Sequence, residues 1–185
     1  YNGLKFFTAV GGAEHEEIEE ILAMANLLRE ASGNKAQIVE KDLLTVYAAD
    51  LVEKIRAGID EGFEPLKGQH IVVDAGNGAG GFFVEKVLEP LGATTTGSQF
   101  LDPDGTFPNH ESNPDNKEAM QALKNAVLTN KADLGIIFDT DVDRSALVDA
   151  NGQALNRNNL IALISAVLLK ENPGATIVTN SATSQ

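Results

Sequence analysis

An α/β fold, layered around a mostly parallel (mixed) sheet and preceded by part of another α/β domain, is what the order of segments predicts. Three observations carry this. From His70 to Phe138, short apolar runs rich in β-branched residues alternate with segments of helical spacing, the pattern of βαβ units. The run Leu134-Gly135-Ile136-Ile137-Phe138 is short and rich in Ile and Phe, so it reads as a buried strand. It ends abruptly in Asp139, Asp141 and Asp143, followed at once by Arg144.

Composition narrows the function. A hydrophobic fraction of 43% is enough for a core and excludes a disordered tail. A formal net charge of −13 argues against nucleic acid or an anionic membrane, since both partners call for a basic face. The absence of cysteine excludes disulfides and thiolate metal sites and fits a reducing compartment. No apolar run reaches membrane-spanning length. The sequence opens at Tyr1 without a basic, apolar leader, and reads as a piece of a longer chain.

In order along the chain, Asn2-Gly3 begins as a turn and Leu4 to Thr8 becomes a short strand. Gly11-Gly12 leads into an acidic helix start, with Ile18, Ile21, Leu22, Ala25 and Leu28 on one face and Gly33 as the stop. A second helix follows the cap Asp42, with Leu44, Tyr47, Leu51, Ile55 and Ile59 on one face. The stretch 60–68, with Gly62 and Pro65, is the expected domain boundary.

His70 to Ala75 is the next strand, and the glycines of 76–81 open a helix through Phe83, Val87 and Leu91 that Pro90 should bend or end. Ala93 to Phe100 reads as a strand because of Thr94-Thr95-Thr96. The long polar loop from Asp102 to Pro114 carries His110, for which a loop-ordering hydrogen bond is the expected role. Asp115 and Glu118 form a capping-box pattern for a helix bearing Met120, Leu123 and Val127. After the carboxylates come a strand at Ala146 to Val148, a hairpin turn at Asn151-Gly152 and a helix at Leu160 to Leu169, apolar enough for burial on more than one side. Pro173-Gly174 stops it, and Ala175 to Thr179 is the last expected strand.

In an extended chain, Asp139, Asp141 and Asp143 point to one side. Three convergent carboxylates repel one another unless a cation sits among them, and a hard divalent ion, Mg2+ first, suits an all-oxygen site. The bland alternative is a solvated acidic turn. An EF-hand loop needs Gly at its sixth position and Glu at its twelfth, but Arg144 and Ala150 stand there. The aspartyl-phosphate phosphatases and phosphotransferases also carry Asp-x-Asp after a buried strand, although Asp143 departs from their pattern; they remain the alternative. The glycines of 76–81 satisfy Gly-x-Gly-x-x-Gly, yet Asp74 puts a negative charge at the mouth of a turn meant for a pyrophosphate. The dinucleotide reading is therefore set aside.

Four motifs together resemble the alpha-D-phosphohexomutases, the phosphoglucomutase and phosphomannomutase family. In order they are Asn2-Gly3-Leu4-Lys5, the Asp-x-x-Asn-Gly-x-Gly run from Asp74 to Gly80, Asn109-His110 with Asn113-Pro114, and Asp139 to Arg144. Thr140 departs from the family's usual Gly, and as a β-branched residue should keep to negative φ. The resemblance implies residues 1–66 as the latter part of a first domain, 67–154 as a second domain with the metal loop, and 155–185 as the start of a third. It further implies Mg2+-dependent phosphoryl transfer between hexose 1-phosphate and hexose 6-phosphate, through a hexose bisphosphate and a phosphoserine before Tyr1. The metal ligands would be Asp139, Asp141 and Asp143, with Lys5 and Arg144 as catalytic candidates. A non-catalytic metal-binding fragment is the rival. The expected partners are the sugar phosphates and the remaining domains of the parent, with no nucleic acid and no membrane, and the expected location is cytoplasmic, with plastid left open.

Overall fold

The computed structural model describes residues 4–9, 11–27, 37–59 and 61–179. Chain packing separates two units, Tyr1–Lys41 and Asp42–Gln185. In the first, β1 (Phe7–Thr8) pairs antiparallel with β2 (Gly11–Gly12). Helix α1 (His15–Leu27) has Glu16 and Glu17 in its first turn, where negative charge meets the positive end of the helix dipole. Its spacing is helical as expected, but none of its described residues is buried. Asn2-Gly3, Leu28 and Gly33 lie outside the described residues.

The second unit opens with α2 (Leu43–Ile59), whose Thr45 N–H donates to Asp42 Oδ1 at 3.0 Å, the expected cap. Its buried residues are Ala48 and Val52, which pack with Val87 and Leu91, while Leu44 and Tyr47 stay exposed. Leu66, within the stretch 61–68, packs against the same residues. Arg56 stacks 3.5 Å above the Phe63 ring and donates to the Phe63 and Pro90 carbonyls, so α2 is tied to the chain on its carboxyl side.

The sheet is mixed, in the order β3 (Ile71–Asp74), β4 (Leu134–Phe138), β5 (Ser145–Asp149). β3 and β4 are parallel, with Ile71 opposite Leu134, and β4 and β5 are antiparallel, with Phe138 opposite Ser145. β3 is buried along its whole length, as a strand covered on both faces requires. Val72, Ile137 and Val148 face Leu123 and Val127 of α3 (Lys117–Asn130). Ile71, Val73 and Phe138 face Val84 and Leu88 on the other side. Alternation along the strands thus produces the three layers. Each fully buried Val or Leu contributes about 1.5–3 kcal/mol.

Several elements differ from the sequence expectation. The segment 93–100 is not a continuous strand. It makes two parallel bridges, Thr94 to His70 just ahead of β3 and Gln99 to Asp74 at its end, around a turn in which Gly97 has φ +94°. Ser98 Oγ accepts from the Val73 N–H at 3.0 Å, so a side chain replaces a missing carbonyl of the ladder. The helix expected from the glycine turn to Leu91 is irregular: a 3-10 turn (Ala79–Gly81), a π turn (Val84–Leu88) and a 3-10 turn (Glu89–Leu91). Pro90 has no N–H to continue a regular ladder.

The cap of α3 is Asn116, whose side chain accepts from the Glu118 and Ala119 N–H groups, and not Asp115. Beyond β5, Asn151-Gly152 turns the chain back as expected, with Leu155 N–H donating to Leu147 O at 2.9 Å. Helix α4 (Arg157–Glu171) forms, but no described residue of it is buried, and Leu163 is 62% exposed. Ala175 to Thr179 form no strand among the described residues. No helix among them is long and apolar enough to cross a membrane.

The glycine turn is tight because other backbone occupies the space side chains would need. A Cβ on Gly78 would lie 2.9 Å from the Thr140 carbonyl oxygen, and one on Gly81 would collide with the backbone of Leu101. Gly81→Ala should therefore destabilise the protein by roughly 1–3 kcal/mol, the usual cost of overpacking, as read by denaturant unfolding. An unchanged midpoint would show that this approach is not needed.

Candidate metal centre

Asp139 follows the last residue of β4, at the carboxyl end of the parallel pair, where open α/β sheets bind their ligands. The loop from Asp139 to Arg144 joins β4 to its antiparallel neighbour β5, and so it must reverse the chain within six residues. The extended i, i+2, i+4 alternation expected of the aspartates is therefore absent. They converge by wrapping. The Asp139 N–H donates to the Arg144 carbonyl at 3.1 Å, and the Val142 N–H donates to the Asp139 carbonyl at 3.3 Å. Val142 takes up the reversal with φ +66°, a left-handed conformation that costs a β-branched residue about 1–2 kcal/mol. Its side chain packs with the Phe138 and Val73 cluster, which offsets part of that cost. Thr140 has no positive φ, as its side chain led us to expect.

One carboxylate oxygen from each of Asp139, Asp141 and Asp143 lies within 4.8 Å of the others. Asp139 is 2% exposed, and its two partners are exposed. Both Asp139 oxygens are engaged by Arg144: its N–H donates to Oδ1 at 3.0 Å and its Nε–H to Oδ2 at 2.9 Å. Burial raises the Asp139 pKa, but these hydrogen bonds outweigh it and hold the carboxyl below the usual range. Asp143 is pushed up by its hydrogen bond with Asp139 and by the like charges of Asp141 and Asp139. Arg144 is raised by its bond to Asp139. A crowded all-oxygen set, one of whose members takes a proton too readily, is what a hard divalent cation relieves. The residues present fit Mg2+.

Three residues that sequence reasoning left outside the site hold Arg144 and the loop. Asn113 Oδ1 accepts from Arg144 Nη1 at 3.3 Å. Asp115 lies 3.8 Å from the same guanidinium and 2.7 Å from Arg157. Ser112 offers its carbonyl to Thr140 Oγ at 3.3 Å. Their signal was the polar cluster around Asn113-Pro114-Asp115, which sequence spacing read as loop and helix cap. The structure thus brings Asp139, Asp141, Asp143 and Arg144 together. Lys5 is exposed and lies just before β1 in the other unit.

Fold and site define an α/β/α-layered protein with a carboxylate loop suited to a divalent cation. The family model described as phosphoglucomutase/phosphomannomutase, alpha/beta/alpha domain II, matches residues 46–152, and the chain belongs to that family. The match begins inside α2, ahead of residue 67. A phosphoglucomutase of Neisseria meningitidis serogroup A is 33% identical over 179 residues, covering 96% of this chain and 37% of that protein. A phosphomannomutase/phosphoglucomutase of Pseudomonas syringae pv. tomato is 34% identical over 181 residues, covering 96% and 36%. A crystal structure of a phosphoglucomutase/phosphomannomutase family protein from Burkholderia thailandensis shares the fold with a TM-score of 0.69 at 22% identity, covering 93% of this chain and 42% of that one. The chain thus spans little more than a third of these curated relatives.

The lowered pKa of Asp139 has a stability consequence with a defined sign. Its contribution is fully present above the unfolded carboxylate value and is lost as pH falls through the lower folded value. Asp139→Asn should lower stability at neutral pH and flatten the acid limb of the stability profile, because the variant has no proton to take up there. Parallel acid limbs in the two proteins would refute the assignment.

Proposed function

We propose that this chain is the metal-binding second-domain segment of a phosphohexomutase, flanked by parts of its first and third domains. The reaction is reversible transfer of a phosphoryl group between the 1- and 6-positions of a hexose phosphate. It runs through a hexose bisphosphate and a phosphoserine carried outside this chain. The observation that carries the reading is the convergence of Asp139, Asp141 and Asp143 around Arg144 in a chain that belongs to the phosphoglucomutase/phosphomannomutase family. The names of the relatives support glucose and mannose phosphates alike.

Asp139, Asp141 and Asp143 would hold Mg2+, which supplies positive charge to the oxygens of a phosphoryl group in transit. Arg144 has two roles in this reading. Its Nε–H orients Asp139, and its half-exposed guanidinium presents further N–H groups to phosphate oxygens. Lys5 is proposed for proton handling or charge stabilisation beside the serine. The aspartyl-phosphate alternative fares poorly, since the chain belongs to the phosphoglucomutase/phosphomannomutase family and carries a third carboxylate, Asp143, where that alternative expects Thr or Val.

Mg2+ should bind the isolated chain weakly and shift the amide signals of Asp139 to Arg144 in an NMR titration, and Mn2+ should broaden them, with both responses lost in Asp141→Asn. Silence at millimolar metal, or an equal response in the variant, would sink the metal assignment.

The isolated chain should have no mutase activity in a coupled assay with glucose 1-phosphate, hexose bisphosphate and Mg2+, whereas the full-length parent turns over. Asp141→Ala in the parent should cost roughly 10²–10³-fold in kcat, the scale of losing one group that stabilises transition-state charge. Turnover by the chain itself, abolished in Asp141→Ala, would show that it carries its own phosphoryl acceptor and would return Asp139 to consideration as a nucleophile. An inactive parent would favour the non-catalytic metal-binding rival.

A further inference from the structure

A second pair of titratable groups lies buried beside the carboxylate loop, and the phosphoryl-transfer reading does not use it. Asp74, fully buried at the end of β3, and His110, 8% exposed, stand 3.0 Å apart between Oδ2 and Nε2. The two ring nitrogens of His110 both face acceptors. Nδ1 lies 2.9 Å from the Glu111 carbonyl, and Nε2 lies 3.0 and 3.1 Å from the two Asp74 oxygens. The contacts are satisfied when Nδ1 donates to the carbonyl and one hydrogen lies between Nε2 and the carboxylate. The Phe100 ring packs edge-on to the imidazole at 5.3 Å, and Gly76 leaves it room, since a Cβ there would lie 3.1 Å from His110 Cε1.

The loop pinned in this way is the one that holds the metal loop. Two residues on from His110, Ser112 Oγ donates to the Ala75 carbonyl at 3.4 Å, and its carbonyl accepts from Thr140 Oγ at 3.3 Å. Asn113, next in sequence, accepts from Arg144 Nη1. On the other side of Asp74, Oδ1 accepts from the Gly76 N–H at 2.9 Å, which sets the turn whose Ala79 N–H donates to the Thr140 carbonyl at 2.9 Å. Asp74 and His110 therefore sit where two supports of the carboxylate loop meet, one through the glycine turn and one through 110–113.

We propose that His110 is a positioning residue for the carboxylate loop, holding Arg144 and Thr140 in register through its buried bond to Asp74. It touches neither ligand carboxylates nor substrate. The effect on metal rests on the reading of Asp139, Asp141 and Asp143 as ligands, and the effect on loop order does not.

The experiment uses this chain and two readouts. In metal-free protein, amide hydrogen exchange is followed at Ala79 and Arg144, with Val127 and Val148 as core controls. In a second arm, Mn2+ affinity is measured by electron paramagnetic resonance. The amide nitrogen of Gln lies where Nε2 of His lies, and that of Asn where Nδ1 lies. His110→Gln thus keeps the donor to Asp74, and His110→Asn keeps only the donor to the Glu111 carbonyl. In His110→Asn, exchange at Ala79 and Arg144 should quicken by about tenfold or more, the scale of losing a hydrogen bond to a charged group, with the controls little changed. His110→Gln should restore most of the protection. Mn2+ affinity should fall about 3- to 10-fold in His110→Asn and follow the same order, at or below the loss usual for outer-shell partners of metal ligands.

Equal exchange in wild type and His110→Asn, or equal losses in the Gln and Asn variants, would overturn the proposal. If His110→Asn fails to fold, Asp74→Asn decides: it keeps the size of the side chain and removes the charge that holds His110. Faster exchange at Ala79 and Arg144 with the core controls unchanged then supports the proposal, and unchanged exchange at both overturns it. A wild type that binds no Mn2+ defeats the metal reading alone, since the metal-free arm still decides the positioning role.

Discussion

A carboxylate with no access to water has to be satisfied by its own chain, and Asp74 imposes that constraint on the end of the sheet. Its oxygens accept from the Gly76 backbone, from Gln99 Nε2 at 2.8 Å and from His110 Nε2. These three partners come from three successive segments: the glycine turn just after β3, the irregular segment beside β3, and the long loop ahead of α3. Leaving such a group unpaired would cost several kcal/mol. The segments are thereby drawn to one place, beside the parallel neighbour whose next residue after β4 is Asp139.

Around the carboxylate loop, the same economy of charge operates with a different outcome. Asp139 is satisfied by Arg144, twice over, and stays buried and ionised. Asp141 and Asp143 remain exposed on its open side. The loop therefore has an inner carboxylate fixed by the protein and two outer ones left crowded, with the crowding expressed in the raised pKa of Asp143. The strained backbone at Val142 belongs to this arrangement, because a wider turn would not return the Arg144 N–H to Asp139. Arg144 ties the loop outward as well, to Asn113 and Asp115, and Asp115 in turn reaches Arg157 at the start of α4.

Glycine placement links the two carboxylate clusters. Gly78 lies against Thr140, Gly80 against Phe138 and Gly81 against Leu101, so the turn after β3 packs directly on the carboxylate loop and its support. The run that imitates a dinucleotide fingerprint is thus explained by backbone contact. The apolar residues of α1 and α4 are another matter: both helices form, yet neither has a buried described residue.

The sequence by itself determined the layers and the chemistry of the site. Short continuous apolar runs at Ile71 to Val73 and Leu134 to Phe138, and helical spacing at Leu123 and Val127, are local consequences of which side chains avoid water. Carboxylates at alternate positions before an arginine were visible as a charged cluster for the same reason, since charge and residue type are written in the chain. Tertiary structure decided how those carboxylates meet. They converge through a hairpin reversal because β5 returns antiparallel to β4, which residue alternation does not encode. It decided that Asn116 caps α3, that 93–100 breaks into two bridges, and that Asn113, Asp115 and Ser112 belong to the site. It also buried His110 against Asp74, 36 residues away, a pairing that exists only where β3 and the long loop end at the same point in space.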